Sequence, residues 1–239
     1  MNRHLLALGD KLFRHGYPAY LPLYSAYKAV ADRKERALMR GSIPPGATVV
    51  DIGANIGVHA RFLSQLCGNS GRVYAFEPSP TNFARLKANV ASCRNVTAVH
   101  AAVGLKSGTI GLFLSDALNV DHRTYDDGNG RERVEVPLIS LDEYLRPGTV
   151  VDFLKIDVQG YEDSVLRGAA RVLQENPDIK GVIEFWPYGL KKAGTDPAGL
   201  LQFIAAQGFE VQALDGEDLG ALDADREFDY CNILIGRSL

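Results

Sequence analysis

Cysteine is scarce in this chain, and what there is does not pair: among 239 residues only Cys67, Cys93 and Cys231 occur, with no C-x-x-C spacing. An odd, scattered set suits neither a disulfide framework nor a thiolate zinc site, and is expected of a reducing compartment, the cytoplasm. Long apolar runs are missing too. None approaches the roughly 20 residues that span a bilayer, so no stable membrane insertion is expected. The first residues lack the continuous apolar core and small-residue cleavage site of a secretion signal. Nor is there an excess of positive charge: 26 Lys and Arg against 29 Asp and Glu leave a net −3. That balance gives no basic face to hold a phosphate backbone, and nucleic acid is not an expected partner. His4, His15 and His100 show no metal-ligand spacing, and His59 reads as packing. No internal repeat or low-complexity tract is present.

What is present is a chain 46% apolar, enough for one full core. Periodicity gives an N-terminal helical extension over residues 1–44, then one α/β domain over 45–239 that starts after Ile43-Pro44-Pro45-Gly46. Strands are expected near 48–52, 72–76, 97–102, 151–156, 180–185, 208–214 and 230–236, and helices near 57–67, 80–91, 161–173 and 197–207. Two further β-rich runs, 108–114 and 133–139, read as a hairpin inserted between the third and fourth core strands. In the extension, the tyrosine-rich stretch 18–30 with Tyr20, Tyr24 and Tyr27 reads as an interfacial helix or as a lid or dimer element, the last implying a homodimer.

The run Val49-Val50-Asp51-Ile52-Gly53-Ala54-Asn55-Ile56-Gly57 reads as a buried strand, a glycine turn and a helix start. In a dinucleotide site such a turn receives a pyrophosphate, and a carboxylate there repels it. Asp51 instead suits a cationic ligand. Gly53 and Gly57 admit a close approach to the backbone, and Asn55 supplies an uncharged donor and acceptor. One strand later, Glu77 of Phe76-Glu77-Pro78 stands where an α/β nucleotide fold binds ribose hydroxyls. Pro78 then stops the strand.

Residues beyond the carboxyl ends of the later strands complete the candidate site. Asp157 ends the run 151–156; Lys155 shares its side, so a structural ion pair is the competing reading. Glu162 follows in the first turn of a helix, where acids are favoured anyway. Glu184 is a carboxylate in an apolar strand and demands a partner. With Asp157 it is placed either to hold a divalent cation or to orient a base. Trp186 and Tyr188 follow as an aromatic wall or as core. The inserted segment carries Asn119-Val120-Asp121-His122-Arg123-Thr124-Tyr125, dense in reactive side chains. His122 is suited to take a proton near neutrality, Arg123 to bind a carboxylate or sugar hydroxyls, and Tyr125 to stack or hydrogen-bond; a solvated loop with an Asp121–Arg123 pair is the alternative.

Together, Asp51 to Gly57, Phe76-Glu77-Pro78, Ala101-Ala102-Val103-Gly104, Val136 to Asp142 and Leu154 to Glu162 resemble the FkbM-type class I methyltransferases over roughly residues 45–236. A subset of that family carries a similar Asp-His-Arg-x-Tyr run. The resemblance implies a Rossmann-like α/β fold: a seven-stranded, mostly parallel sheet with an antiparallel last strand and helices on both faces. It implies S-adenosylmethionine as cofactor and O-methylation of a hydroxyl on a sugar, glycan or glycosylated natural product. Cofactor contacts are then expected at Asp51, Gly53, Asn55, Gly57, Glu77, Pro78, Ala102 and Asp157. Catalytic roles fall to His122, Asp157 and Glu184, with His122 or Asp157 as base. Acceptor contacts fall to Asp121, Arg123, Tyr125, Trp186 and Tyr188. A Mg²⁺ or Mn²⁺ ion on Asp157 and Glu184 remains an alternative. So do a non-sugar small-molecule hydroxyl as acceptor, a nicotinamide-dependent oxidoreductase, although Gly53-x-Asn55-x-Gly57 is not G-x-G-x-x-G, and a binding module without turnover.

Overall fold

The structure, a computed structural model, describes residues 3–115 and 121–239, with side chains from Gly9 onward. Three helices come first: α1 (Arg3–His15), α2 (Tyr17–Ala31) and α3 (Arg33–Ser42). Alternating units follow: β1 (Thr48–Ile52), α4 (Val58–Cys67), β2 (Arg72–Phe76), α5 (Pro80–Asn89) and β3 (Val96–Val99). An excursion, β4 (Ala102–Val103), β5 (Gly108–Phe113) and β6 (Arg133–Ile139), then leads through α6 (Leu141–Tyr144) to β7 (Phe153–Ile156). The chain closes with α7 (Glu162–Arg167), α8 (Ala170–Glu175), β8 (Lys180–Phe185), α9 (Pro187–Lys192), α10 (Pro197–Ala206), β9 (Glu210–Ala213) and β10 (Cys231–Gly236).

Seven strands form one sheet in the order β3-β2-β1-β7-β8-β10-β9. The pairs from β3 to β8 are parallel, and β10 runs antiparallel to both its neighbours, as the antiparallel last strand requires. Both faces of the central strands are covered, which is why β7 is buried at every position. Val50, Ile52, Leu154 and Ile156 pack on one face, and Val49, Phe153 and Val182 pack with Met39, Ile43 and Phe62 on the other. Strand order reverses between β1 and β7, and this switch point is where an open α/β sheet offers a crevice at its carboxyl edge.

Three expectations need correction. The strand near 97–102 divides: β3 ends at Val99, and β4 belongs to a separate three-stranded sheet ordered β4-β6-β5. Ala102, expected at the cofactor, lies in that small sheet's core with Leu112 and Val136. The helix near 161–173 is broken into α7 and α8 at Gly168, where an added Cβ would stand 2.0 Å from the Gly104 carbonyl oxygen. The fourth core strand begins at Phe153 rather than at 151.

The N-terminal helices pack on the glycine turn. Phe13 and Tyr20 cluster with Ile56 and Val58, and Tyr17, Tyr20, Tyr24 and Tyr27 follow one another along α2 with ring centroids 5.2–6.3 Å apart. The Asn89 side-chain nitrogen donates to the Tyr17 hydroxyl at 2.7 Å and to the Ile56 carbonyl at 2.6 Å, tying α2 and the turn to α5. Among the described residues, no helix is long and apolar enough to cross a membrane.

Candidate active site

The glycine turn after β1 leaves no amide for a phosphate. Gly53 and Ala54 N–H donate to the Phe76 carbonyl, Asn55 N–H to Glu77 Oε2 at 2.8 Å, Ile56 N–H to Asn55 Oδ1 at 2.6 Å, and Gly57 N–H to the Ala54 carbonyl. Positive φ at Gly53 (81°), Asn55 (51°) and Gly57 (85°) makes this compact turn, and Gly53 sits so near β7 that a Cβ would meet the Asp157 carbonyl at 1.9 Å. A pyrophosphate needs free N–H groups here, so the geometry disfavours the dinucleotide reading. Asn55 shapes the turn with its own side chain.

Two carboxylates flank that turn. Glu77, 4% exposed, accepts from Asn55 N–H through Oε2 and from Ser79 N–H through Oε1 at 2.9 Å; burial still pushes its carboxyl up to about 7. Pro78 is half-buried, and its carbonyl meets His100 Nε2 at 3.0 Å, with His100 stacked on Phe83. Asp51 is fully buried, and neither carboxylate oxygen has a hydrogen-bond partner. Burial raises its pKa, and Lys155, in register beside it on β7, opposes the rise.

The reacting end lies one strand over. Gln159 Nε2 donates to Asp157 Oδ1 at 2.9 Å and to Glu184 Oε2 at 2.8 Å, while Lys155 Nζ stands 3.4 Å from Asp157 Oδ2. Burial works against charge on all three groups, and their neighbours divide them. Lys155, and after it Lys28 of α2, hold Asp157 below the ordinary carboxylate range. Glu184 is driven well above it by burial, then by the Asp157 and Glu162 charges. The anionic surroundings, Asp157 first, outweigh the burial of Lys155 and keep its ammonium charged. Two neighbouring carboxyl groups are thus split in proton affinity, the pattern of an acid–base site. Gln159, in a left-handed conformation at φ 55°, lies inside the Leu154 to Glu162 run, but the sequence assigns it no role. Glu162 accepts from Val158 and Gly160 N–H, so it holds the loop rather than a ligand.

The metal expectation for Asp157 and Glu184 is not supported by this geometry. The Gln159 amide bridges them, and the Lys155 ammonium already neutralises Asp157. Among the described residues, the ligand atoms gathered closely enough for an ion belong to Asp32, Glu35 and His59, within 4.8 Å of one another. There, Asp32 pairs with Lys28 at 2.8 Å and with His59 at 3.2 Å.

The inserted segment also departs from expectation; Asn119 and Val120 lie outside the described residues. His122 Nδ1 accepts from Ser115 N–H at 3.0 Å, which occupies the lone pair of the neutral ring, and burial lowers its pKa to about 4. It is thereby a poor proton acceptor, and its charged neighbours are Asp121 and Arg131. Arg123, 5% exposed, is spent on Asp121 (2.7 Å), Asp127 (3.4 Å) and Glu227 (2.9 Å), and its guanidinium lies over Trp186 and Tyr125. Arg131 adds ion pairs to Asp121 (2.6 Å) and Asp127 (2.8 Å). Trp186 is 4% exposed and donates its indole N–H to the Glu227 carbonyl at 2.7 Å, so it anchors rather than forms a platform. Tyr188 packs at 5.7 Å from Trp186, and the Tyr125 hydroxyl is buried with no hydrogen-bond partner. The segment is brought to the carboxyl edge of β8, as the acceptor reading requires, but Asp121, Arg123 and Trp186 are committed to holding it there.

Comparison with known proteins gives the family and the fold. The sequence model described as the methyltransferase FkbM domain matches residues 51–211. The hexuronic acid methyltransferase AglP of Haloferax volcanii is 30% identical over 183 residues, which cover 74% of this chain and 67% of that protein. Among solved structures, a chain from Clostridium thermocellum named as an rRNA-methylase superposes with a TM-score of 0.54 at 12% identity, covering 85% of this chain and 95% of the other. SMU.1697c of Streptococcus mutans, named as a methyltransferase and solved in complex with SAH, gives 0.50 at 12% identity, covering 84% and 94%. At such identities the structural likeness speaks for the fold alone.

Proposed function

The chain belongs to the FkbM methyltransferase family, and on that premise we propose that it transfers the methyl group of S-adenosylmethionine to a hydroxyl oxygen of a sugar, with Glu184 as proton acceptor. The observation that carries this reading is the split pair on the neighbouring strands β7 and β8: an ionised Asp157 and a Glu184 of raised proton affinity, joined through Gln159. The sugar class is supported by the relative that acts on hexuronic acid.

The residues present fit the cofactor. Asp51 is a buried carboxylate with two orphaned oxygens, costly as it stands and relieved by a ligand ammonium. Glu77 accepts from the Asn55 and Ser79 N–H groups and from the Asn82 side chain, which leaves one acceptor position of its carboxylate for a ribose hydroxyl. With every turn amide already satisfied, a sulfonium ligand is accommodated where a diphosphate is not. When bound, S-adenosylmethionine supplies an electrophilic methyl group on sulfur. Asp157, held anionic, orients the acceptor hydroxyl or the ligand ammonium at the strand edge. Glu184, in its ionised fraction, would take the hydroxyl proton as the oxygen–carbon bond forms and the carbon–sulfur bond breaks; the carboxyl of raised proton affinity is the stronger base of the two.

The test is transfer of labelled methyl to para-nitrophenyl glucuronide, read by mass. Glu184→Gln is expected to lower kcat by about 10²–10⁴-fold, the range for a positioned acid–base group, with cofactor affinity near wild type. A rate that survives Glu184→Gln and collapses in Asp157→Asn moves the proton to Asp157. Absence of sugar methylation by the wild type overturns the acceptor class.

A further inference from the structure

The acceptor platform expected of Trp186 is closed, and the exposed aromatic surface at this edge comes from elsewhere. The family match runs from 51 to 211, so α2 and the residue before β10 lie outside it. The first turns of α2 pack Tyr17 and Tyr20 over the glycine turn, and its next turns carry Tyr24, Tyr27 and Lys28 onward. Tyr27 is 60% exposed, its ring centroid 6.3 Å from that of Tyr24. Lys28, a quarter exposed and 2.8 Å from Asp32, contributes to the field at both Asp157 and Glu184. On the other side, Cys231 pairs with Phe185 and Asn232 with Glu184, so the register sets Tyr230 across from Trp186 at the same strand edge. Tyr230 is 54% exposed, and its hydroxyl lies within electrostatic reach of Glu184, Lys28, Asp157 and Tyr27.

We propose that Tyr27 and Tyr230 are the stacking walls of the acceptor sugar, with Lys28 between them donating to its oxygens above Asp157 and Glu184. This deepens the sugar reading above and rests on it. A sugar ring presents an apolar C–H face and a rim of hydroxyls. Exposed aromatic faces beside an ammonium and two carboxyl groups match both features. The acceptor specificity of this chain is thus written in segments its family domain does not contain.

Tyr27→Ala and Tyr230→Ala are each expected to raise KM for para-nitrophenyl glucuronide about tenfold, one aromatic contact's worth, with kcat and S-adenosylhomocysteine affinity unchanged. Tyr27→Phe, which keeps the ring, is expected to restore KM. Saturation-transfer NMR on the S-adenosylhomocysteine-loaded protein should show tyrosine-to-sugar transfer that both alanine variants lose. Wild-type KM in both variants overturns the subsite while leaving sugar methylation standing. So does a lowered rate that follows a change in oligomeric state with KM untouched, since Leu23, Tyr27 and Val30 then serve as a contact between copies. If the wild type neither binds nor methylates the glucuronide, the sugar reading falls and takes the subsite with it.

Discussion

At Glu77, burial opposes the charge and two backbone N–H groups favour it, and burial prevails, lifting the carboxyl from the ordinary range to about 7. A raised carboxyl stabilises the fold below its unfolded pKa, and that contribution is lost as pH rises through about 7. Ribose hydroxyls donate to the carboxylate form, so ligand binding must release the proton. S-adenosylhomocysteine affinity is therefore expected to strengthen as pH rises to about 7 and to level off above it. Calorimetry in buffers of different ionisation enthalpy reads the proton directly, and Glu77→Gln should remove the pH dependence together with much of the affinity. His122 has the opposite sign. Its pKa is depressed to about 4, so its contribution to stability is present above the unfolded value near 6.5 and is lost as pH falls through 4. Urea titrations at pH 7 and near pH 4.5 should show an acid loss that His122→Gln reduces, while the rate profile keeps no imidazole inflection. The residues that were legible are those whose chemistry follows from strand position: Asp51, Glu77, Asp157 and Glu184 all end up at the crevice because they end or edge parallel strands. His122 and Arg123 were legible as reactive types and not as roles, because Ser115 N–H and the distant Glu227 decide what they do.

Elements were read mostly correctly from periodicity, since buried parallel strands and amphipathic helices carry strong patterns. What periodicity could not show was steric: α7 and α8 part at Gly168 because the backbone of Gly104, distant in sequence, lies against it. The same limit applies to the inserted hairpin, which the sequence placed correctly but whose tether it hid. Arg123 joins the segment after β5 to Glu227, and Trp186 holds the Glu227 carbonyl from below. Arg123→Met is expected to cost about 2 kcal/mol, because it removes the charge-assisted bonds of a buried guanidinium to Asp121 and Glu227 while Arg131 still holds Asp121 and Asp127. Arg123→Lys should recover little, since one ammonium cannot fill three directions of a planar fork. The single tryptophan makes this readable: its fluorescence should shift in both variants before global unfolding.

Across the whole molecule, the cofactor residues are covered. Asp51 has no exposure and Glu77 4%, and the aromatic end of α2 lies over the turn between them through Phe13, Tyr20, Ile56 and Val58. A ligand reaching Asp51 has to displace that packing, so α2 is expected to act as a lid whose opening sets the exchange rate. Asn89 is the latch, since its amide donates to both the Tyr17 hydroxyl and the Ile56 carbonyl. Asn89→Ala removes both bonds and lowers the cost of lifting the helix, at about 1 kcal/mol for each hydrogen bond lost. Stopped-flow binding of S-adenosylhomocysteine should then show association and dissociation both faster, each by roughly tenfold, with Kd changed much less because the two rates move together. Hydrogen exchange across residues 12–31 should slow on ligand binding in the wild type and slow less in the variant. If association is unchanged while exchange at α2 is faster, the ligand enters by another route and the helix is a fixed wall of the acceptor side. If dissociation alone quickens, Asn89 contributes to the bound state rather than to the opening.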